Sequence, residues 1–272
     1  MQNFSISPVN MLRSAVANRQ LIWAMTKREV IGRYRGSMLG ILWSFFNPVL
    51  MLSVYTFIFS VVFRARWGGA GESKTEFAVV LFAGMIVFSL LAECINRAPT
   101  LIVSNVNYVK KVVFPLEILP WVTLGATLFH ALVSLSVWLL FYGAIHQSLQ
   151  WTIIFLPLVL LPLIMFVMGV SWFLASLGVF LRDMAQTVNL ITTILMFLSP
   201  VFYSIASLPP EYRPFIYANP MSFIIEQTRN VLIWGNMPDW TLLGIHTAIS
   251  AAICWLGFAW FQKTRKGFSD VL

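Results

Sequence analysis

Residues 151–180 read WTIIFLPLVLLPLIMFVMGVSWFLASLGVF, a run without a single charged side chain that closes on Arg182 and Asp183. About 20 predominantly apolar residues in a helix cross the roughly 30 Å hydrocarbon core of a bilayer, so this stretch spans a membrane with length to spare for tilt, or for a kink at Pro157 or Pro162. Working outward, the same reading places spans at 38–63, 77–95, 118–142, 187–205 and 241–261. The first of these lies uncharged between Arg35 and Arg64. Six spans with short connections use most of the chain, so residues 1–272 read as one all-α integral membrane domain, with its spans between 38 and 261 and no separate soluble unit.

Composition agrees. Hydrophobic residues make up 59% and charged residues 10% of the chain, and mean hydropathy is +0.81; a soluble domain carries about a quarter charged residues. The net charge of +8 belongs to helix ends at a membrane surface rather than to nucleic-acid binding, because Lys and Arg accumulate in three segments. These are the amino-terminal arm (Arg13, Arg19, Lys27, Arg28, Arg33, Arg35), the loop after the second span (Arg97, Lys110, Lys111) and the tail (Lys263, Arg265, Lys266). Positive charge marks the cytoplasmic side, and six spans put all three segments there, so both termini are expected in the cytoplasm. The opening residues hold no apolar core followed by a small-residue cleavage site, which argues against a removable signal peptide. Cys94 and Cys254 lie far apart in apolar stretches, without the spacing of a disulfide framework or a metal site.

Two segments depart from the pattern of simple spans. Residues 12–35 alternate Leu12, Val16, Trp23, Val30 and Ile31 with basic side chains, reading as an amphipathic helix along the cytoplasmic interface or, alternatively, a solvated basic arm. Residues 207–240, SLPPEYRPFIYANPMSFIIEQTRNVLIWGNMPDW, are too polar to cross and too apolar to be a free loop. Prolines divide them, and Met221–Trp234 has helical spacing with Glu226 and Arg229 at i and i+3, so short re-entrant helices are expected.

Function is read first by exclusion. The sequence has no GxxxxGK[ST], HExxH or GxSxG, so the chain offers no P-loop, zinc-protease or esterase chemistry. Ion-coupled carriers keep ionisable groups inside spans; here Glu93 and Glu117 sit at span ends, and His130 and His246 are the isolated candidates. The spans instead offer uncharged polar and aromatic stripes. Phe46, Ser53, Thr56, Phe57 and Ser60 share one face of the first span, and Asn189, Thr192, Thr193, Met196, Ser199 and Tyr203 share one of the fifth. Such stripes either line a conduit suited to a sugar polymer, or mediate helix packing. The loop 104–117, SNVNYVKKVVFPLE, fits either a short helix held against a partner protein or a simple interface helix.

Taken in order, RYRGSMLGILWSFFNPVLMLSVYTFIFSVVF (33–63), SNVNYVKKVVFPLEILP (104–120), LRDMAQ (181–186), FLSPVFYSIASLPPEYR (197–213) and NPMSFIIEQTRNVL (219–232) resemble the permease subunit of ABC exporters for lipid-linked polysaccharide, chiefly O-antigen and its relative teichoic acid. The resemblance implies a homodimer in the bacterial inner membrane, bound to two copies of a separate ATP-binding subunit. That partner would hold the ATP and magnesium, leaving this chain without cofactor, metal or catalytic residue. It further implies that Asn107, Tyr108, Lys110, Lys111, Phe114 and Glu117 couple to the ATPase. Arg33, Arg35, Arg182, Asp183 and Gln186 would flank a cytoplasmic entrance for the lipid pyrophosphate, and Pro209, Pro220, Glu226 and Arg229 would form an outer gate. The two stripes then become the substrate channel.

Overall fold

A computed structural model describes residues 5–62, 74–110 and 114–272. Every regular element among them is helical. In chain order these are α1 (Pro8–Ala17), α2 (Arg19–Arg33), α3 (Trp43–Tyr55, continued by wide turns over Thr56–Val62), α4 (Lys74–Arg97), α5 (Val106–Lys110) and α6 (Leu119–His146). They are followed by α7 (Leu156–Phe180), α8 (Met184–Leu198), α9 (Arg213–Tyr217), α10 (Pro220–Arg229, continued by wide turns over Asn230–Trp234), α11 (Trp240–Thr264) and α12 (Phe268–Val271).

Among the described residues, five helical stretches are long and apolar enough to cross a membrane: Gly40–Phe59, Thr75–Thr100, Leu116–His146, Trp151–Phe180 and Trp240–Val271. The fifth expected span is shorter than expected. Instead of running 187–205 it occupies Met184–Leu198, about 22 Å of helix at 1.5 Å per residue and thus less than a full hydrocarbon core. Pro200 ends it, because a residue before proline is pushed out of the α region, and Ser199 is extended at φ −91°, ψ 145°. The amphipathic stretch 12–35 likewise forms two helices rather than one, broken at Asn18. The first span becomes regular only at Trp43, after Gly36 and Gly40 take positive φ of 83° and 53°.

Packing separates central from peripheral helices. In the most apolar window of α4, 72% of residues are buried, against 11% in that of α3. Helices α7 and α11 pack backbone to backbone: a Cβ at Gly257 would lie 2.0 Å from the Gly169 carbonyl oxygen, and one at Gly169 would lie 2.4 Å from that of Ile253. Gly178 is pressed against Pro99 in the same way, at 1.9 Å. Close approach through small residues is how helices gain contact area in lipid, where burying apolar surface against another helix gains little. Buried indoles find carbonyl partners, Trp138 Nε1 donating to Val79 O at 2.9 Å and Trp172 Nε1 to Glu117 O at 3.0 Å.

The 207–240 segment folds as two short helices and a closing turn. Pro220 occupies the first turn of α10, where its missing N–H costs nothing, and the Asn219 side chain accepts from Met221 N at 3.0 Å. Gly235, at φ 66°, stops the wide turns, and Asp239 caps α11 by accepting from Leu242 N.

Candidate functional site

Helix α3 has two faces of different character. Phe46, Ser53 and Phe57 are exposed on one of them. Its hydroxyls are turned back on the helix: Ser53 donates to Val49 O at 2.8 Å and Thr56 to Leu52 O at 2.7 Å. The side chain of Ser60 lies outside the described residues. In α8, Asn189 and Thr193 are exposed, Thr193 donating to Asn189 O at 2.8 Å, and Met196 is half-buried, as is Tyr203 beyond the helix. Thr192 and Ser199 point the other way, into the protein. Thr192 bonds Asn96 Oδ1 at 2.7 Å, and Ser199 accepts from Asn219 Nδ2 at 3.0 Å. The stripe read as one face of the fifth span is therefore split between an exposed set and a packed pair. A ladder of rings, with Phe59 stacked on Phe77 and on Phe202 and Phe202 on Phe197, ties the C-terminal end of α3 to α4 and to the end of α8.

The opposite face of α3 closes a groove of about 410 Å³ against α4 and α6. Trp43, Asn47, Met51 and Tyr55 line it from α3, Phe82, Met85, Ser89 and Glu93 from α4, and His130 and Ser134 from α6. At one end Arg33 Nη1 meets Glu93 Oε1 at 2.5 Å; Glu93 is also 3.7 Å from Arg97 Nη1, and Arg97 pairs with Glu29. Four alternating charges thus stitch α2 to α4. Tyr34, in the α2–α3 connection, contacts His130 Nδ1 through its hydroxyl at 3.3 Å. Burial pushes the Tyr34 phenol above its usual range, so it stays a neutral hydroxyl.

Of the residues expected at the cytoplasmic entrance, only Arg33 reaches this groove. Arg35, Arg182, Asp183 and Gln186 are exposed, the last three at the α7–α8 turn, and among the described residues no ion pair joins the two groups.

The expected coupling loop is fastened from inside. Tyr108 stacks on Phe114 with centroids 4.3 Å apart and accepts from Arg28 Nη2 at 3.1 Å, while Asn107 and Lys110 stay exposed; Lys111 lies outside the described residues. Glu117 faces inward instead, accepting from Arg265 Nη1 at 2.5 Å and Ser14 Oγ at 2.9 Å, while Arg265 Nη2 donates to Phe114 O at 2.7 Å. This knot joins α1, the loop and the tail. Sequence reading missed it, counting Arg265 only as one of the tail's charges.

The expected gate segment turns on a buried cation. Arg229 is fully buried, and donates to Val80 O at 3.2 Å, Pro200 O at 2.7 Å, Val201 O at 2.9 Å and Glu226 Oε1 at 3.0 Å. One guanidinium therefore ties α10 to α4 and to the carbonyls left open where α8 ends, a favourable place for positive charge. The i, i+3 spacing with Glu226 could be read from sequence, but the carbonyl partners could not. Pro209 lies in the exposed turn ahead of α9.

Helices long and apolar enough to cross a bilayer, with exposed polar side chains on α3 and α8, fit a membrane component of a transporter. The sequence model of the ABC-2 type transporter family matches residues 20–233, and the chain belongs to that family. It is 27% identical, over 96% of its length and 99% of the relative's, to the O-antigen export system permease protein RfbA of Myxococcus xanthus. It is 26% identical to a protein of the same name in Klebsiella pneumoniae, over 93% of this chain and 95% of that one. The polysialic acid transport protein KpsM of Escherichia coli is 22% identical, over 89% of this chain and 92% of its own.

Proposed function

We propose that this chain is the membrane-spanning subunit of an ATP-driven exporter that carries undecaprenyl-linked O-antigen polysaccharide from the cytoplasm to the periplasm. The observation that carries this reading is the end-to-end similarity to two O-antigen export permeases, with a polysialic acid transporter as a more distant relative. All three names concern polysaccharide, which favours a polymer over a small hydrophobic compound.

In this account the chain acts as a homodimer in the bacterial inner membrane, both termini in the cytoplasm, with α8 and the re-entrant 207–240 segment together completing a sixth crossing. Two ATP-binding subunits carry ATP and magnesium, and rest on the exposed Asn107 and Lys110 and on neighbouring Lys111. The knot of Glu117, Arg265 and Ser14 supports this role, because it gives a push on the loop a rigid route into α7, where Trp172 holds the Glu117 carbonyl. Phe46, Ser53, Phe57, Asn189 and Thr193 face the polymer. Hydroxyls that already donate to their own helix offer a sugar acceptor capacity alone, which suits a surface over which a chain must slide. Arg229 and Glu226 brace the outer gate without touching substrate.

The test is to delete the gene and follow the polymer. Lipid-linked polysaccharide trapped in the cytoplasm beneath a bare surface, reversed on restoring the gene, is the expected result. Loss of polymer from both compartments would place the chain in synthesis instead and overturn the reading.

A further inference from the structure

We propose that the groove between α3, α4 and α6 is a binding site for the lipid-proximal sugar of the exported glycolipid, separate from the exposed stripe over which the polymer slides. The inference rests on the exporter reading and adds a place where the substrate is held.

The first observation is hydrogen-bonding capacity. Ser53, Thr56 and Thr193, on the stripes, spend their hydroxyl protons on carbonyls of their own helices. In the groove the polar ends of Asn47, Tyr55, Ser89 and Ser134 have no partner among the described residues. Two of them, Asn47 and Ser89, are exposed and the other two half-buried, so all four line the groove with hydrogen-bonding capacity that a polar occupant can take up.

The second is the kind of occupant these groups select. Hydroxyls and an amide both donate and accept, and the Glu93 carboxylate at the groove's end only accepts, so the complementary ligand presents several hydroxyl groups. A sugar ring does so and has apolar faces for Trp43 and Tyr55. The ester oxygens of a phospholipid glycerol only accept, and would leave the acceptor oxygens of the groove's hydroxyls and amide without a donor. A volume of about 410 Å³ lies within the roughly 300–1,000 Å³ typical of small-molecule sites. From Phe82 to Glu93 the α4 wall rises about 16 Å at 1.5 Å per residue, long enough for one or two rings.

The third is the charge at the mouth. Arg33 is half exposed, at 51%, and its partner Glu93 has a second cation in Arg97. Arg33 can therefore turn to a phosphate next to the bound sugar while Arg97, shared between Glu29 and Glu93, remains the cation beside Glu93, and phosphate oxygens form strong charge-assisted bonds with a guanidinium.

Cysteine accessibility tests this, since both native cysteines are buried. The complex with its ATP-binding subunit carries Asn47→Cys or Ser134→Cys in the groove, or Ser53→Cys on the stripe, in phospholipid nanodiscs, and is labelled with a water-soluble maleimide. A polyprenyl pyrophosphoryl disaccharide is expected to slow labelling at Asn47→Cys and Ser134→Cys by about tenfold or more, the protection expected from occupancy well above Kd. Polyprenyl pyrophosphate without sugar should not. Ser89→Cys replaces either groove variant if it fails to assemble. Unchanged groove labelling while the disaccharide lipid protects Ser53→Cys or stimulates the ATPase overturns the groove and spares the exporter. Equal protection by the sugar-free lipid also overturns the groove. No protection at any position and no stimulation of the ATPase sinks the exporter reading and the groove with it.

Discussion

Adding one methyl group at Gly84 isolates the strength of the Arg229 brace. A Cβ there would stand 2.9 Å from Arg229 Nη2, 3.4 Å from Ile225 Cγ2 and 3.5 Å from Arg229 Cζ. The end of an arginine usually swings away from such an intruder. Here it is held on three carbonyls and a carboxylate, so retreat means breaking bonds in a buried site. Overpacking of this kind costs about 1–3 kcal/mol. Arg229→Met alone is worse: it orphans the carbonyls of Pro200 and Val201, at roughly 1–3 kcal/mol each, whereas Val80 sits inside α4 and keeps its ladder partner. In the Arg229→Met background the flexible thioether yields, and Gly84→Ala becomes nearly neutral. The double-mutant cycle should thus show a coupling of about 1–2 kcal/mol, measured as unfolding free energy by SDS titration in mixed micelles. A Gly84→Ala variant as stable as wild type, or one that loses the same amount in both backgrounds, would refute the reasoning.

Other expectations follow from the same geometry. Gly257→Ala drives a methyl into the Gly169 carbonyl, and the α7–α11 seam should open, seen as loss of a monodisperse peak in detergent chromatography, while Gly244→Ala, in open space, leaves the peak unchanged. Glu117→Gln weakens the knot by about 1–3 kcal/mol and should lower substrate-stimulated ATPase more than it lowers assembly with the ATP-binding subunit, measured by co-purification. Arg33→Glu and Glu93→Arg should each impair export, and the double variant should recover part of it, scored by surface polymer in a complemented deletion strain. Ser53→Trp or Tyr203→Trp should slow export without preventing assembly; full surface polymer in both would remove the channel from these faces.

The long spans were legible because nothing but lipid explains charge-free runs such as 151–180, and the ends found for α4, α6, α7 and α11 lie within a few residues of the charges and prolines that bound those runs. The end of α8 was legible in principle, since Pro200 disfavours a helical Ser199, but the apolar residues on both sides hid the break. Gate chemistry was half legible: Glu226 and Arg229 are a turn apart in one helix, whereas Val80 is 149 residues away. For the groove, Asn47, Ser89 and Ser134 sit on three different helices as scattered small polar residues, the pattern of ordinary packing, and only the fold brings them together. Glu117 and Arg265, separated by 148 residues, met for the same reason. Local periodicity reports which side of a helix is polar, and says nothing of which helix it faces.

The most direct measurement is transport itself. The chain is co-reconstituted with its ATP-binding subunit into liposomes, and a lipid-linked saccharide bearing a label cleavable from one side only is followed across the bilayer. The account predicts movement that requires ATP, the ATP-binding subunit and this chain together, and that stops when hydrolysis is blocked. A saccharide that stays on its original leaflet while ATP is consumed, or a new glycan made by this chain without the ATPase, would contradict it.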